Sequence, residues 1–201
     1  MITPLGVSYA MPARGCRSGP AWESVTGARV EVMNGDGNGW AAGPGDGRVW
    51  GRFGAAGLML LAGTGADVQV LMQHRAQWTN AGGTWALPGG ARDSHESPTE
   101  AALREAVEEC SIDPDLVEIL HAEVTAGPFP ADPARPELAG DWTYTTVIAR
   151  TATGEPLRTH ANEESLELRW VRLADLEELP LMPAFASSLT GLRQEVARLS
   201  P

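Results

Sequence analysis

Two short apolar runs, Gly57-Leu58-Met59-Leu60-Leu61 and Val68-Gln69-Val70-Leu71-Met72, flank the turn-forming Gly63-Thr64-Gly65. Runs of this kind, bounded by glycine, predict two buried strands joined by a turn. Further strand-like stretches follow at Leu116–Val124, Tyr144–Arg150 and Glu167–Arg172. Two segments show helical spacing instead. In Ser97-Pro98-Thr99-Glu100 a capping-box pattern coincides with proline at the first helical position, where a missing N–H costs nothing. Leu103, Ala106, Val107 and Cys110 then recur at helical intervals, and Pro114 forbids continuation much past Ser111. Near the C-terminus, Phe185, Leu189, Leu192, Val196 and Leu199 are spaced by four, three, four and three, which predicts an amphipathic helix docked on the core. The prolines between Pro128 and Pro136 suit neither a ladder nor a helix and predict a loop. Strands mixed with a few helices, without an internal repeat, predict an α/β layered domain.

The pattern fades ahead of Ala55. Residues 1–28 carry Gly, Pro, Ser and scattered charge without periodicity and are read as a poorly ordered N-terminal segment. Residues 29–54 are read as a small hairpin extension, with the turn supplied by Asn34-Gly35-Asp36-Gly37-Asn38-Gly39. The main domain is placed at 55–201.

Composition narrows the function. Among 201 residues, 15 Lys and Arg face 26 Asp and Glu, a formal net charge of −11. Such a surface repels the phosphate backbone of DNA and RNA, which argues against a nucleic-acid partner. An acidic protein that handles phosphates needs divalent cations as the go-between. Cys16 and Cys110 lie far apart and form no disulfide framework. The first twenty residues lack the apolar run of a signal peptide, and no stretch approaches the roughly 20 apolar residues of a membrane helix. A cytoplasmic location and no membrane partner are the resulting expectations.

The chemistry concentrates after Leu87-Pro88-Gly89-Gly90. At 100° per residue, Glu105, Glu108 and Glu109 fall in one arc of the predicted helix, opposite Leu103, Ala106, Val107 and Cys110. Like charges at this spacing cost a few tenths of a kcal/mol per pair. A hard divalent cation reverses that cost, because Mg²⁺ accepts carboxylate and carbonyl oxygens. A solvated acidic face is the alternative on spacing alone. The register of the whole segment adds to this. Five residues separate Gly90 from Glu96, seven more precede Arg104-Glu105, and Ala106, Val107, Glu108-Glu109, Cys110, Ser111 and Ile112 follow. This segment resembles the Nudix box, G-x5-E-x7-R-E-U-x-E-E-x-G-U with U a bulky apolar residue. Two positions depart, Ala106 being small for its place and Ser111 standing where the box has glycine. The preceding Trp85–Gly90 also resembles the strand and turn that enter the box, and a looser likeness runs from about Trp50 to Leu192.

The resemblance implies the family's α/β/α sandwich with a mixed central sheet, and a MutT-like pyrophosphohydrolase activity. It implies that Glu105, Glu108 and Glu109 hold Mg²⁺ or Mn²⁺ with the Gly89 carbonyl nearby, and that Glu96 and Arg104 form an internal ion pair. Metal ions so placed activate a water for attack at phosphorus, and a carboxylate must take its proton. Family members use either a box glutamate or one in a later loop, which here offers Glu163 and Glu164. The expected substrate contacts are Arg75 toward a phosphate, and Trp142 and Tyr144 toward a base. His95 and Cys110 are expected to be a solvated loop residue and a buried packing residue. The expected partner is a small nucleotide-like substrate, with a homodimer as a further option. A nucleoside triphosphate or modified nucleotide is preferred over ADP-ribose or another ADP-sugar. A catalytically weak nucleotide-binding module is the rival class.

Overall fold

The computed structural model describes residues 35–199. The segment read as poorly ordered, Cys16, and the first residues of the hairpin extension lie outside the described residues.

The centre of the domain is strand β3 (Ala55–Ala62), buried along its whole length. Its first strands in sequence, β1 (Trp40–Ala42) and β2 (Arg48–Trp50), form a separate antiparallel pair. After β3 come β4 (Gln69–Arg75), β5 (Trp85–Ala86), β6 (Gly89–Ala91), helix α1 (Pro98–Cys110), β7 (Val117–Phe129), β8 (Trp142–Thr151), β9 (Ser165–Arg172) and helix α2 (Pro183–Leu199). The seven-stranded sheet runs β5-β4-β3-β8-β7, with β6 added on β3 and β9 on β4. It is mixed, since β3 and β8 are parallel and the other pairings are antiparallel.

Why β3 reads as a continuous apolar run follows from its two covered faces. Ala56, Leu58 and Leu60 point to a cluster with Ala101, Ala102, Ala106 and Cys110 of α1. Met59 and Leu61 point the other way, to Phe185, Leu189, Leu192 and Val196 of α2. Burying each leucine stabilises by about 1.5–3 kcal/mol relative to exposure. The result is the expected α/β/α sandwich. Among the described residues no helix is long and apolar enough to cross a membrane.

Three local expectations need correction. On α1 the buried face is rotated, so that Val107 is 41% exposed while Glu109 is only 3% exposed. The three alanines let the helix lie close to β3, and Glu109 in its last turn is swept inward with it. The hairpin turn lies at Gly43–Gly47, closed by Gly43 N–H on the Gly47 carbonyl at 3.1 Å, and not within residues 35–39. Finally, β7 continues through Pro128 to Phe129, although that stretch reads as loop. It can do so because β7 is an edge strand, where an absent N–H breaks no ladder on its outer side, and its register is irregular there.

The end of α1 shows how the serine departure is absorbed. Ser111 adopts φ 56° and ψ 35°, the left-handed conformation for which glycine is the usual choice. Its N–H closes on the Val107 carbonyl at 3.0 Å, and that of Ile112 on Ala106 at 3.3 Å. A side chain in this region costs on the order of 1 kcal/mol. Ser111→Gly is therefore expected to raise the melting temperature by about 2–4 °C. Thermal denaturation followed by circular dichroism checks this, and a lower melting temperature would contradict it.

Candidate active site

The glycines after Pro88 let two backbones and a helix meet. In β6, Gly89 and Gly90 pair with Gly57 and Ala56 of β3. A Cβ on Gly89 would run into the Ala56 carbonyl, and one on Gly90 would lie 2.5 Å from Glu105 Oε1. The absence of side chains brings this turn under α1, where Gly89 N–H donates to Glu109 Oε2 at 2.8 Å.

Arg104 organises the acids. Its Nε donates to Glu96 Oε1 at 2.7 Å and its Nη2 to Oε2 at 3.0 Å, a bidentate pair. Nη2 also reaches the Ala91 carbonyl at 2.9 Å. Nη1 serves Glu105 at 2.8 Å and Glu108 at 3.3 Å. The Arg104 hydrogen bond is the main reason Glu96 stays below the ordinary carboxylate range, and Arg104 in turn is raised. For Glu105, burial outweighs the neighbouring Arg104, and Glu108 and Glu164 add repulsion, so its pKa is raised. Glu109 is pushed up to about 7 by burial and by Glu105, against the opposing pull of the Gln73 amide, the Gly89 N–H and Arg75.

The three box glutamates therefore differ. Glu108 is largely open to solvent, Glu105 is mostly covered, and Glu109 is buried. Among the described residues the trio whose ligand atoms all lie within 4.8 Å of one another is Asp36, from the segment ahead of β1, with Asp93 and His95 of the loop before α1. Both of those aspartates already accept backbone N–H groups, from Ser94 and Gly37. The box set, by contrast, offers oxygen donors only, and the ionised forms of Glu105 and Glu109 are disfavoured by burial and by neighbouring carboxylates. Those features suit a hard divalent cation.

The later loop is brought to the same place. His160 N–H donates to the Cys110 carbonyl at 3.0 Å and Asn162 N–H to that of Glu109 at 3.2 Å, so the free carbonyls at the end of α1 pin this loop. The Glu164 carbonyl accepts Ala76 N–H at 2.8 Å, and its own N–H is held by Asn162 Oδ1 at 2.9 Å. Glu164 is half-buried and acts on Glu105, whereas Glu163 is exposed.

A cavity of about 300 Å³ opens beside Gly89 and Gly90. Arg75 lies on its wall, with Nε bonded to the Asn80 carbonyl at 2.9 Å and Nη1 3.5 Å from Gln73 Oε1. Trp142 and Tyr144 also line it, but not as open stacking platforms. Trp142 is 7% exposed, stacked on Phe129 at a centroid distance of 5.7 Å, with its indole N–H on the Trp50 carbonyl at 3.0 Å. Tyr144 is half-buried with its hydroxyl against Gly57, and burial raises its pKa. His74, in β4, stacks on Trp85 at 4.7 Å. Trp78 lies off this cavity and is 67% exposed. Cys110 is buried, its thiol pushed up by desolvation.

Sequence reading missed Gln73 and the hairpin side of the cavity, where Arg48, Val49 and Trp50 line the wall. Gln73 carried a signal: it is a fully buried polar residue ending an apolar strand run, and its amide donates to Ser165 Oγ at 2.9 Å. The hairpin carried none, because its place depends on tertiary packing.

Comparison with known proteins gives this geometry its context. The NUDIX domain family model matches residues 51–190. A Mycobacterium tuberculosis protein, provisionally named 8-oxo-dGTP diphosphatase 3, is 47% identical over 170 residues, which cover 83% of this chain and 73% of that protein. A nucleoside triphosphate pyrophosphatase/Nudix hydrolase fusion protein of Bifidobacterium longum is 38% identical over 81% of this chain and 34% of its own length. The crystal structure of RenU, a Nudix hydrolase of Mycobacterium smegmatis, superposes with a TM-score of 0.71 at 46% identity, over 82% of this chain and 98% of RenU. With its box glutamates, their bracing arginine and the sandwich that carries them all in place, this chain belongs to the Nudix family of hydrolases.

Proposed function

We propose that the chain hydrolyses a nucleoside triphosphate, preferably one with a modified purine base such as 8-oxo-dGTP, to a monophosphate and pyrophosphate. The observation that carries this reading is the junction of the two halves of the site: the Gly89-Gly90 turn under Glu105 and Glu109 is also one wall of the cavity. A phosphate chain at the box then has room for a planar organic group beside it, among Val49, Phe129 and Phe185. The name of the Mycobacterium tuberculosis relative supports the choice of base.

Glu105, Glu108 and Glu109 are the residues that would hold Mg²⁺ or Mn²⁺. When bound, the ions neutralise charge on the phosphates and make the attacking water more acidic. Arg104 keeps Glu105 and Glu108 aligned, and Arg75 is placed on the wall to meet a phosphate oxygen. Of the two late-loop acids, we assign Glu164 as the base that takes the water's proton. It faces Glu105 and is fixed at both its N–H and its carbonyl, while Glu163 is exposed.

Activity is expected to vanish with a chelator and return with Mg²⁺ or Mn²⁺. Glu164→Gln is expected to lower kcat by about 10²–10³-fold, the scale of losing a positioned base, with Glu163→Gln close to wild type. Steady-state assays with separated products check both. Equal losses in the two variants would contradict the assignment. Efficient release of AMP from ADP-ribose with triphosphates untouched would contradict the substrate class.

A further inference from the structure

A line of polar contacts reaches the box from outside it. Gly37 N–H donates to Asp93 Oδ1 at 2.6 Å across a buried interface, and Ser94 N–H donates to Asp36 Oδ1 at 2.8 Å. Asp93 is 8% exposed, and its own N–H donates to Glu96 Oε2 at 3.0 Å. Arg92, next to it, is tied to the link between β2 and β3: its N–H donates to the Gly54 carbonyl at 3.0 Å, and its guanidinium to the Phe53 carbonyl. The other arm of that guanidinium donates to the Glu96 carbonyl at 2.8 Å. Glu96 is thus held at its carboxylate and its backbone before it takes the bidentate pair from Arg104. From Arg104 the line continues to Glu105 and Glu108.

Gly37 fits this role for a steric reason. A Cβ there would collide with the Arg92 carbonyl, whose carbon would lie 2.8 Å away, and would sit 2.9 Å from Asp93 Oδ1. Glycine at this position is required by close approach of two backbones, not by a left-handed φ.

We propose that Gly37 and Asp93 form a latch through which the segment ahead of β1 positions Arg104, and through it the metal-binding carboxylates. The two are positioning residues: they touch neither metal nor substrate. This inference rests on the metal site assigned above. Partners one step beyond a metal's ligands typically contribute 10–100-fold to affinity.

The test is Mn²⁺ binding to the full chain without substrate, followed by the loss of the free-ion electron paramagnetic resonance signal. Gly37→Ala and Asp93→Ala are each expected to weaken Mn²⁺ binding about tenfold. Asp93→Asn keeps an acceptor oxygen for the Gly37 N–H and is expected to restore most of it. In a Glu96→Gln background the Asp93→Ala effect is expected to disappear, since residues acting through one contact are not additive. That background also separates positioning from direct ligation of Mn²⁺ by Asp36, Asp93 and His95, which would persist when Glu96 is changed. Wild-type affinity in both latch variants, or losses that simply add to that of Glu96→Gln, would overturn the latch while leaving the metal site standing. A wild-type protein that takes up no Mn²⁺ would remove the metal site and the latch together.

Discussion

The site is organised by one guanidinium. Arg104 is fixed to Glu96 by two parallel hydrogen bonds and to the Ala91 carbonyl by a third contact. With the fork so anchored, its remaining nitrogen presents a set direction to Glu105 and Glu108. A lysine could make any one of these contacts but not the set, because the geometry lies in the planar fork. One open and one mostly covered carboxylate beside a buried third would otherwise repel one another, the more so where burial weakens screening. The arginine supplies the charge that lets them stay together, and it leaves Glu109, beyond its reach, with a proton affinity near neutrality.

That arrangement is possible because of the layer beneath it. β3 is covered on both faces, so α1 must press alanines against it. Close contact rotates the helix and draws Glu109 inward, where Gly89 N–H compensates part of its desolvation. The same packing leaves the end carbonyls of α1 facing the loop that carries Glu164. Fold and site are therefore one construction: the apolar run of β3 sets the helix height, and the helix height decides which glutamate is buried. The glycines of β6 belong to it too, since a Cβ at Gly89 would push the turn off the β3 backbone and one at Gly90 would run into Glu105 of α1.

Much of this was legible in the chain, for reasons that differ by element. The capping box at Ser97 and Glu100 is local chemistry, and both of its hydrogen bonds are present. β3, β8 and α2 were readable because buried elements must be apolar at fixed periods. The Glu96–Arg104 pair was implied by the box register and is present as a bidentate contact. Less legible was which face of α1 is inward, because a helix whose inward positions are alanines carries a weak apolar stripe and the larger Val107 pulls the reading outward. Pro128 misled because proline rules out a central strand but not an edge. Trp142 was expected to offer its ring to a base, yet only tertiary packing decides that Phe129 already covers it. The contacts of Gly37 with Asp93 span 56 residues and leave no local trace.

The central claim is that the acids gathered by Arg104 and the Gly89-Gly90 turn form the metal site, although Asp36, ahead of β1, and Asp93 and His95, before α1, bring their ligand atoms together within 4.8 Å. The two locations are separated most directly by anomalous scattering from crystals soaked in Mn²⁺. The account predicts a manganese peak bonded to carboxylate oxygens of the box glutamates, Glu109 among them. A peak confined to the Asp36–Asp93–His95 cluster, with none at the box, would contradict it.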